Sequence, residues 1–407
     1  MIFKRGRRRT SEGLRFGKAI LSVSVLISVF ALLFTSSAFR VYADSADGIS
    51  ARSFCLYNPS RDEIIAERAS KSRMGMASTT KIMTAIVVIE ALGDELYTSV
   101  VTVGSEAVGV EGSSVYLKYG ERIKAIDLLY ALMLASANDA AIALSIHVAG
   151  SVPDFVGLMN DKARLLGLSD THFENPHGLA GDGHYTTAYE LALITKYALE
   201  NQIFKAVCSA RTYTYKSSES TVTLVNHNRL LRAIDGAIGV KTGFTKSTGR
   251  TLVGAAERNG VVLICVTLSA PDDWNDHKRL FEYGFSLYKN EKLADTEEYS
   301  FKVPLVGSDK PYVTARISGD IRAILREGEN PSISVCLDRF IYGSVEKGSA
   351  IGYATVSVDG KELTRIPIIS EESAEGLIYK RTFSDRIVLL WERFTYLLKK
   401  IIGWQSL

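Results

Sequence analysis

The sequence predicts an α/β (α+β) domain whose sheet is interrupted by a helical lobe, followed by a small all-β domain and a C-terminal amphipathic helix. Three observations carry this. Apolar segments at helical spacing fill the stretch between residues 77 and 200, while runs such as Val261-Val262-Leu263-Ile264-Cys265-Val266 read as buried strands. After about residue 291, short β-like runs alternate with turns. From residue 380 onward, one apolar stripe recurs every three or four positions.

The chain has 407 residues, 46% hydrophobic and 23% charged, enough for two domains with real cores and unlike a disordered protein. A net charge of +3 is too small to argue for nucleic acid as a partner. At the start, Lys4, Arg5, Arg7, Arg8, Arg9, Arg15 and Lys18 precede an apolar run from Ala19 to Phe34, and small residues lead to Val41-Tyr42-Ala43. This is the layout of an export signal over 1–43, with cleavage after Ala43. A retained N-terminal anchor is the alternative, although the run falls short of the roughly 20 apolar residues of a comfortable span. Cys55, Cys208, Cys265 and Cys336 form no CxxC pair and have no histidines gathered near them, so neither a zinc site nor any other metal or cofactor is expected.

Within 44–290, Phe54 to Asn58 and Glu63 to Glu67 flank Pro59-Ser60-Arg61-Asp62 and read as a hairpin. Residues 77–92 read as a buried helix. A second helical pattern over 125–149 is interrupted at Ser136, and a third over 186–200 is capped by Thr186-Thr187. Strands are expected from Gly239, over Thr251 to Ala256 and over Val261 to Ser269, with a turn at Asn259-Gly260. A helix over Asp276 to Lys289 ends the unit, so a mixed sheet brackets the helices. The small β-rich domain is assigned to 291–375 and the amphipathic helix to 376–407. There Phe383, Ile387, Leu390, Trp391, Phe394, Leu397, Leu398 and Ile401 form the stripe, and Arg386, Arg393, Lys399 and Lys400 lie off it. Such a helix suits the surface of a membrane.

Three strings carry chemistry: Ser78-Thr79-Thr80-Lys81, Ser136-Ala137-Asn138 and Lys241-Thr242-Gly243. A serine three residues before a lysine, at the opening of an apolar helix, puts a nucleophile beside a base. The lysine can act as that base once burial and a second cation, Lys241, lower its pKa. Ser136 can relay a proton and Asn138 can orient Lys81 or hold a substrate amide. Gly243 is explained if a ligand lies against the strand. Ser286-Leu287-Tyr288-Lys289 and Ser344-Val345-Glu346-Lys347 match the first spacing as well, and are read as accidents. Each string alone has an ordinary structural reading, as helix opening, polar cap or strand edge.

With its surrounding segments, the set resembles the penicillin-binding D-alanyl-D-alanine carboxypeptidases, low-molecular-mass serine peptidases of the peptidoglycan. Ala77 to Ala85, Phe173-Glu174-Asn175-Pro176-His177-Gly178-Leu179, His184 to Tyr189, Asn226 to Leu230 and Gly239 to Thr245 carry the resemblance. It implies a penicillin-binding/β-lactamase-like fold and removal of the terminal D-alanine from stem peptides, with β-lactams as covalent inhibitors. By the same resemblance, Ser78, Lys81, Ser136 and Asn138 are catalytic, and Lys241, Thr242, Gly243 and Phe244 bind substrate. The backbone N–H groups of Ser78 and Phe244 would form the oxyanion hole, and the location would be the outer face of the cytoplasmic membrane. His177 and His184 are expected to make loop-stabilising hydrogen bonds. A serine β-lactamase, a transpeptidase and an inert envelope scaffold are the competing readings. Glu174 is followed by Asn175-Pro176, which does not fit a β-lactamase deacylation loop, and a carboxylate-binding arginine is not assigned.

Overall fold

The computed structural model describes residues 47–179, 181–295, 297, 299–377 and 383–402; the expected export signal lies outside them. The chain divides after Lys289.

In the first unit the strands are β1 (Ser53–Asn58), β2 (Glu63–Arg68), β3 (Val100–Thr102), β4 (Arg122–Lys124), β5 (Thr212–Lys216), β6 (Thr221–Val225), β7 (Ala237–Thr245), β8 (Gly249–Arg258) and β9 (Val261–Leu268). The helices are α1 (Lys81–Leu92), α2 (Ala125–Leu134), α3 (Asn138–Ala149), α4 (Val152–Leu165), α5 (Ala188–Glu200), α6 (Gln202–Ser209), α7 (Leu230–Ala233) and α8 (Asp273–Ser286).

Five strands form the main sheet in the order β2-β1-β9-β8-β7. Every pairing in it is antiparallel, so the expected mixed sheet is corrected. Antiparallel neighbours follow from the short β8–β9 turn and from β9 returning to pair with β1 at the far side of the chain. All six residues of β1 are buried, because helices cover both faces of the sheet. Cys55, Tyr57, Ile264 and Val266 belong to the core shared with the helical lobe. Leu56 and Leu263 face α8, where any side chain at Gly284 would collide with both. This two-sided burial explains the unbroken apolar run of β9, which would alternate on a sheet wetted on one face.

The helical lobe runs from α1 to α6. Apolar residues surround α1, and nine of its twelve residues are buried. Ser151 caps α4 through the Asp154 N–H, and Thr187 caps α5 through the Glu190 N–H. Two details depart from the sequence reading. The helix expected from residue 77 opens with a 3-10 turn over Ala77–Thr80. The last helix ends at Ser286, with Tyr288 and Lys289 already extended. The short pairs β3–β4 and β5–β6 were not anticipated, and three-residue strands leave too little alternation to read.

The second unit contains a six-stranded sheet built from segments between Ser300 and Ser370, around a core that includes Val313, Ala315, Ile317, Ala354, Val356 and Ile368. It also includes a 20-residue helix, α9 (Phe383–Ile402).

Candidate active site

The 3-10 turn carrying Ser78 is fastened by its own hydroxyls. Thr79 Oγ1 donates to Met76 O at 2.6 Å, Thr80 Oγ1 to Ala77 O at 2.7 Å, and Thr251 Oγ1 of β8 to Met76 O at 3.1 Å. Ala77 (φ 46°) and Ser136 (φ 60°) both occupy the left-handed region, which costs a residue with a side chain about 1–2 kcal/mol. Such strain is held in place by its surroundings, and it sits here immediately before the first string and at the first residue of the second.

Lys81 has no solvent exposure. Its Nζ lies 2.7 Å from Asn138 Oδ1, 2.6 Å from His177 O and 3.1 Å from Ser78 Oγ. The first two partners can only accept. As a neutral amine, Lys81 satisfies both with its two N–H groups and turns its lone pair toward the Ser78 hydroxyl, which then donates to it. Burial drives the Lys81 pKa well below the usual lysine value; the Lys241 charge adds to this and the Asp139 charge opposes it. The chemistry therefore favours the neutral form, a base poised on a hydroxyl.

Asn138 starts α3 and is fixed from three sides. Its N–H donates to Ser113 O at 2.7 Å and its Nδ2 to Glu111 O at 2.6 Å, while Oδ1 accepts from Lys81. Next to it the buried Asp139 accepts from Ser114 Oγ and from the N–H groups of Val115 and Leu117, pinning the 111–117 loop to the helix start. Ser136 is buried and lines the cleft with Ser78, but among the described residues no hydrogen bond joins it to Ser78 or Lys81.

The third string lies on β7, the edge strand beside Ser78. Lys241 is buried, its Nζ donates to Thr242 O at 3.1 Å, and burial lowers its pKa to about 7. A Cβ at Gly243 would stand 2.4 Å from Thr251 Oγ1, 2.9 Å from Ser78 N and 3.2 Å from Ala77 Cβ. The protein's own serine turn therefore excludes a side chain here before any ligand is considered. Phe244 is 63% exposed, at the mouth of the cleft.

The central loop closes the site from behind. A Cβ on Gly178 (φ 92°) would fall within 1.9 Å of Ala77 O, so only glycine lets the loop reach the turn. Thr84 Oγ1 donates to Pro176 O at 2.6 Å. His184 Nδ1 accepts the Glu174 N–H at 3.0 Å, which leaves Nε2 to donate to Thr80 Oγ1 at 2.7 Å. The Leu179 N–H donates to His177 Nδ1. Burial lowers both histidines to about 4, so they are neutral braces of the loop, as the sequence suggested.

Ser78, Ser113, Ser136, Thr242 and Phe244 line one cleft of about 330 Å3, together with Arg250. Arg250 pairs with Phe244 across the β7–β8 ladder, and Asp273, itself buried, holds its Nε at 3.0 Å. Arg229 lines the cleft as well, and neither arginine was assigned a role from the sequence. Counting back from the Thr245–Gly249 turn, which sets the register, would have found Arg250. The His177 carbonyl was also missed, since a backbone acceptor 96 residues from its lysine leaves no trace in side-chain identity.

A buried lysine on a serine hydroxyl, below an edge strand with a second buried lysine, defines a serine acyl-transfer enzyme of the penicillin-recognising type. The family described as D-alanyl-D-alanine carboxypeptidase matches residues 40–272. The D-alanyl-D-alanine carboxypeptidase DacF of Bacillus subtilis is 30% identical over 393 residues, covering 93% of this chain and all of that relative. DacC of Escherichia coli is 31% identical over 378 residues, 86% of this chain and 90% of its own length. Among solved structures, penicillin binding protein 5 from Haemophilus influenzae is similar at 27% identity and TM-score 0.59, over 80% of this chain and 98% of that one. The Streptomyces K15 DD-transpeptidase is similar at 33% identity and TM-score 0.56, over 59% of this chain and 98% of that one. The chain belongs to the D-alanyl-D-alanine carboxypeptidase family: it is a serine peptidase with a low-molecular-mass penicillin-binding fold, acting on peptidoglycan stem peptides.

Proposed function

We propose that Ser78 is the acyl-carrying nucleophile of a carboxypeptidase that cuts the terminal D-Ala-D-Ala bond, with Lys81 as its base. One observation carries this reading: Lys81 is fully buried, and two obligate acceptors aim its third position at Ser78 Oγ. The Ser78 proton passes to the Lys81 amine as Oγ bonds to the carbonyl carbon of the penultimate D-alanine. The N–H groups of Ser78 and Phe244 hold the resulting oxyanion, a contribution of about 10²–10³ in rate per donor. On collapse the C–N bond breaks, and the departing D-alanine amine takes a proton from the Lys81 ammonium through Ser136. Water then cleaves the Ser78 ester.

Asn138 keeps Lys81 oriented. Lys241, Thr242 and Arg250 receive the terminal carboxylate of the peptide, and Gly243 and Phe244 complete the wall along which it lies. An anion at Lys241 would restore the charge that burial removes. β-Lactams would acylate Ser78 in the same way. In this scheme 44–290 is the catalytic domain and 291–375 a spacer or partner-binding β domain.

An exported, envelope-associated protein held by residues 376–407 suits this substrate. Ile387, Leu390, Trp391, Phe394 and Leu397 of α9 are all exposed, and among the described residues no single helix is long and apolar enough to cross a membrane. Such a helix would lie in the outer face of the cytoplasmic membrane, with Arg393 among its headgroup contacts. Deleting residues after 378 should release the protein from membranes; continued full sedimentation would remove the helix as anchor.

The test of the chemistry is D-alanine release from a D-Ala-D-Ala peptide, with and without penicillin. Ser78→Ala should abolish both release and covalent labelling while the protein stays folded. An adduct mapped by mass spectrometry to any other residue overturns the assignment. Against a β-lactamase reading, the contact from the central loop to Lys81 is a backbone carbonyl, and Glu174 Oε1 accepts instead from the Gly183 N–H.

A further inference from the structure

The six-stranded sheet of the second unit ends in the strand Ser332–Leu337, which among the described residues pairs only with Ala350–Val358. The direction of its backbone follows from its neighbours. In the next strand, Lys361–Ser370, Pro367 stands opposite Tyr353. It has no N–H, and its carbonyl accepts from the Ser318 N–H, on the side of Tyr312–Ile317. Tyr353 therefore turns its own N–H and C=O away from Pro367, toward Cys336. The Asp338 N–H donates to Ile351 O, two residues further along, and keeps the same phase. Alternation then leaves the N–H and C=O groups of Ile333, Val335 and Leu337 directed outward, past the edge of the sheet.

The side chains of these three residues lie on the core face of the sheet. Ile333 is opposite Val356 and Val335 opposite Ala354, both fully buried. Val335 itself is 40% exposed, so the core is open along this edge. Sheet edges are commonly blunted by charge or proline, yet no residue from Ser332 to Leu337 carries either; Pro331 and Asp338 only bracket the stretch. The stretch is also self-complementary. Laid antiparallel on a second copy with Val335 opposite Val335, Ile333 meets Leu337 and Ser334 meets Cys336 in both directions. Apolar side chains then meet on the core face and small polar ones on the other. Only this register pairs all the outward-directed residues of both copies, each pair closing two hydrogen bonds.

We infer that Ser332–Leu337 is a docking edge for a second copy of this chain: two copies join their six-stranded sheets across a twofold axis at Val335, and each covers the open core edge of the other. Self-complementarity favours a second copy over an unrelated strand, since an arbitrary partner has no reason to match both the register and the faces. The contact is smaller than the roughly 1,600 Å2 of a standard interface, so the dimer is weak and reversible and is best captured covalently.

Cys336 supplies the readout, because it is exposed while Cys55, Cys208 and Cys265 are buried. In the inferred register, position 334 of one copy faces Cys336 of the other as a non-hydrogen-bonded pair, with Cα atoms about 4.5 Å apart and within disulfide reach. The full chain carrying Ser334→Cys, oxidised with copper phenanthroline, should give a covalent dimer, and mass spectrometry should map the link from position 334 of one chain to Cys336 of the other. Ser332→Cys is as exposed but stands opposite Asp338, and its dimer yield should be about tenfold lower. Adding Val335→Lys to Ser334→Cys sets two ammonium groups against each other at the axis and should abolish the link, while calorimetry shows the protein still folded. No covalent dimer from Ser334→Cys, equal yields from Ser334→Cys and Ser332→Cys, or a yield untouched by Val335→Lys overturns the inference. The last of these is also the result expected if the copies associate through α9 instead. Capture of a different protein at position 334 in cell membranes would give the edge to another occupant and overturn it equally.

Discussion

Substituting Gly243 by alanine separates two accounts of the Lys-Thr-Gly string. The added methyl would sit 2.4 Å from Thr251 Oγ1 and 2.9 Å from Ser78 N, where ordinary contacts begin near 3.4 Å. The Thr251 hydroxyl is also the donor that holds Met76 O at 3.1 Å, so it has no free rotation into which to retreat. Either β7 moves outward or the Ser78 turn moves back. Overpacking of this kind costs about 1–3 kcal/mol, which for a unit of this size lowers Tm by roughly 2–4 °C per kcal/mol. A shift of about 1 Å in the nucleophile costs on the order of 10²-fold in rate. Gly243→Ala should therefore show both a lower Tm and a penicillin acylation rate about 10²-fold lower, without any ligand being needed to reveal the instability. Removing the nearer obstacle in Gly243→Ala/Thr251→Ala should leave much of the defect, because Ser78 N remains. The assays are calorimetry of the free protein and stopped-flow acylation. An unchanged Tm with only KM raised would mean that the glycine makes room for substrate, refuting the reasoning.

Two further outcomes follow from the lysines. Asn138→Asp places a carboxylate 2.7 Å from Lys81 Nζ, which stabilises the ammonium and raises its pKa; the acidic limb of the kcat/KM profile should move to higher pH, and an unmoved limb would exclude Lys81 as the titrating base. Lys241 titrates near 7 when folded against an ordinary value of 10.5, so above pH 7 the unfolded chain binds more protons and stability rises with pH. Between about pH 7 and about pH 8.5, Tm should climb, and Lys241→Met should flatten that slope. An identical slope in the variant would place the lysine's titration elsewhere.

The three strings could be read because their chemistry is local. Ser78 and Lys81 are one helical turn apart, Thr187 caps the helix that follows it, and the apolar run of β9 announces a buried strand. Those features depend on residue type and spacing, which any sequence displays. The partners that tune the site are of another kind. His177 O reaches Lys81 across 96 positions, Arg250 meets the cleft through strand register, and the role of Gly243 depends on a turn 165 residues earlier in the chain (243 − 78 = 165). Ser136, read as a proton relay, is buried at the cleft without a hydrogen bond to either catalytic candidate among the described residues.

What the sequence by itself determined was the inventory: a serine and a lysine on one helical face, a second lysine on a strand edge, and the alternation of helices and strands that carries them. What lets Lys81, the lysine read as the base, lose its proton was decided by tertiary structure. A lysine in water stays charged near neutrality, and only a closed lobe can desolvate Lys81, set Lys241 near it and supply two carbonyl acceptors that a neutral amine can satisfy. Burial and proximity are properties of the packed chain, because they arise from segments that no local pattern brings together.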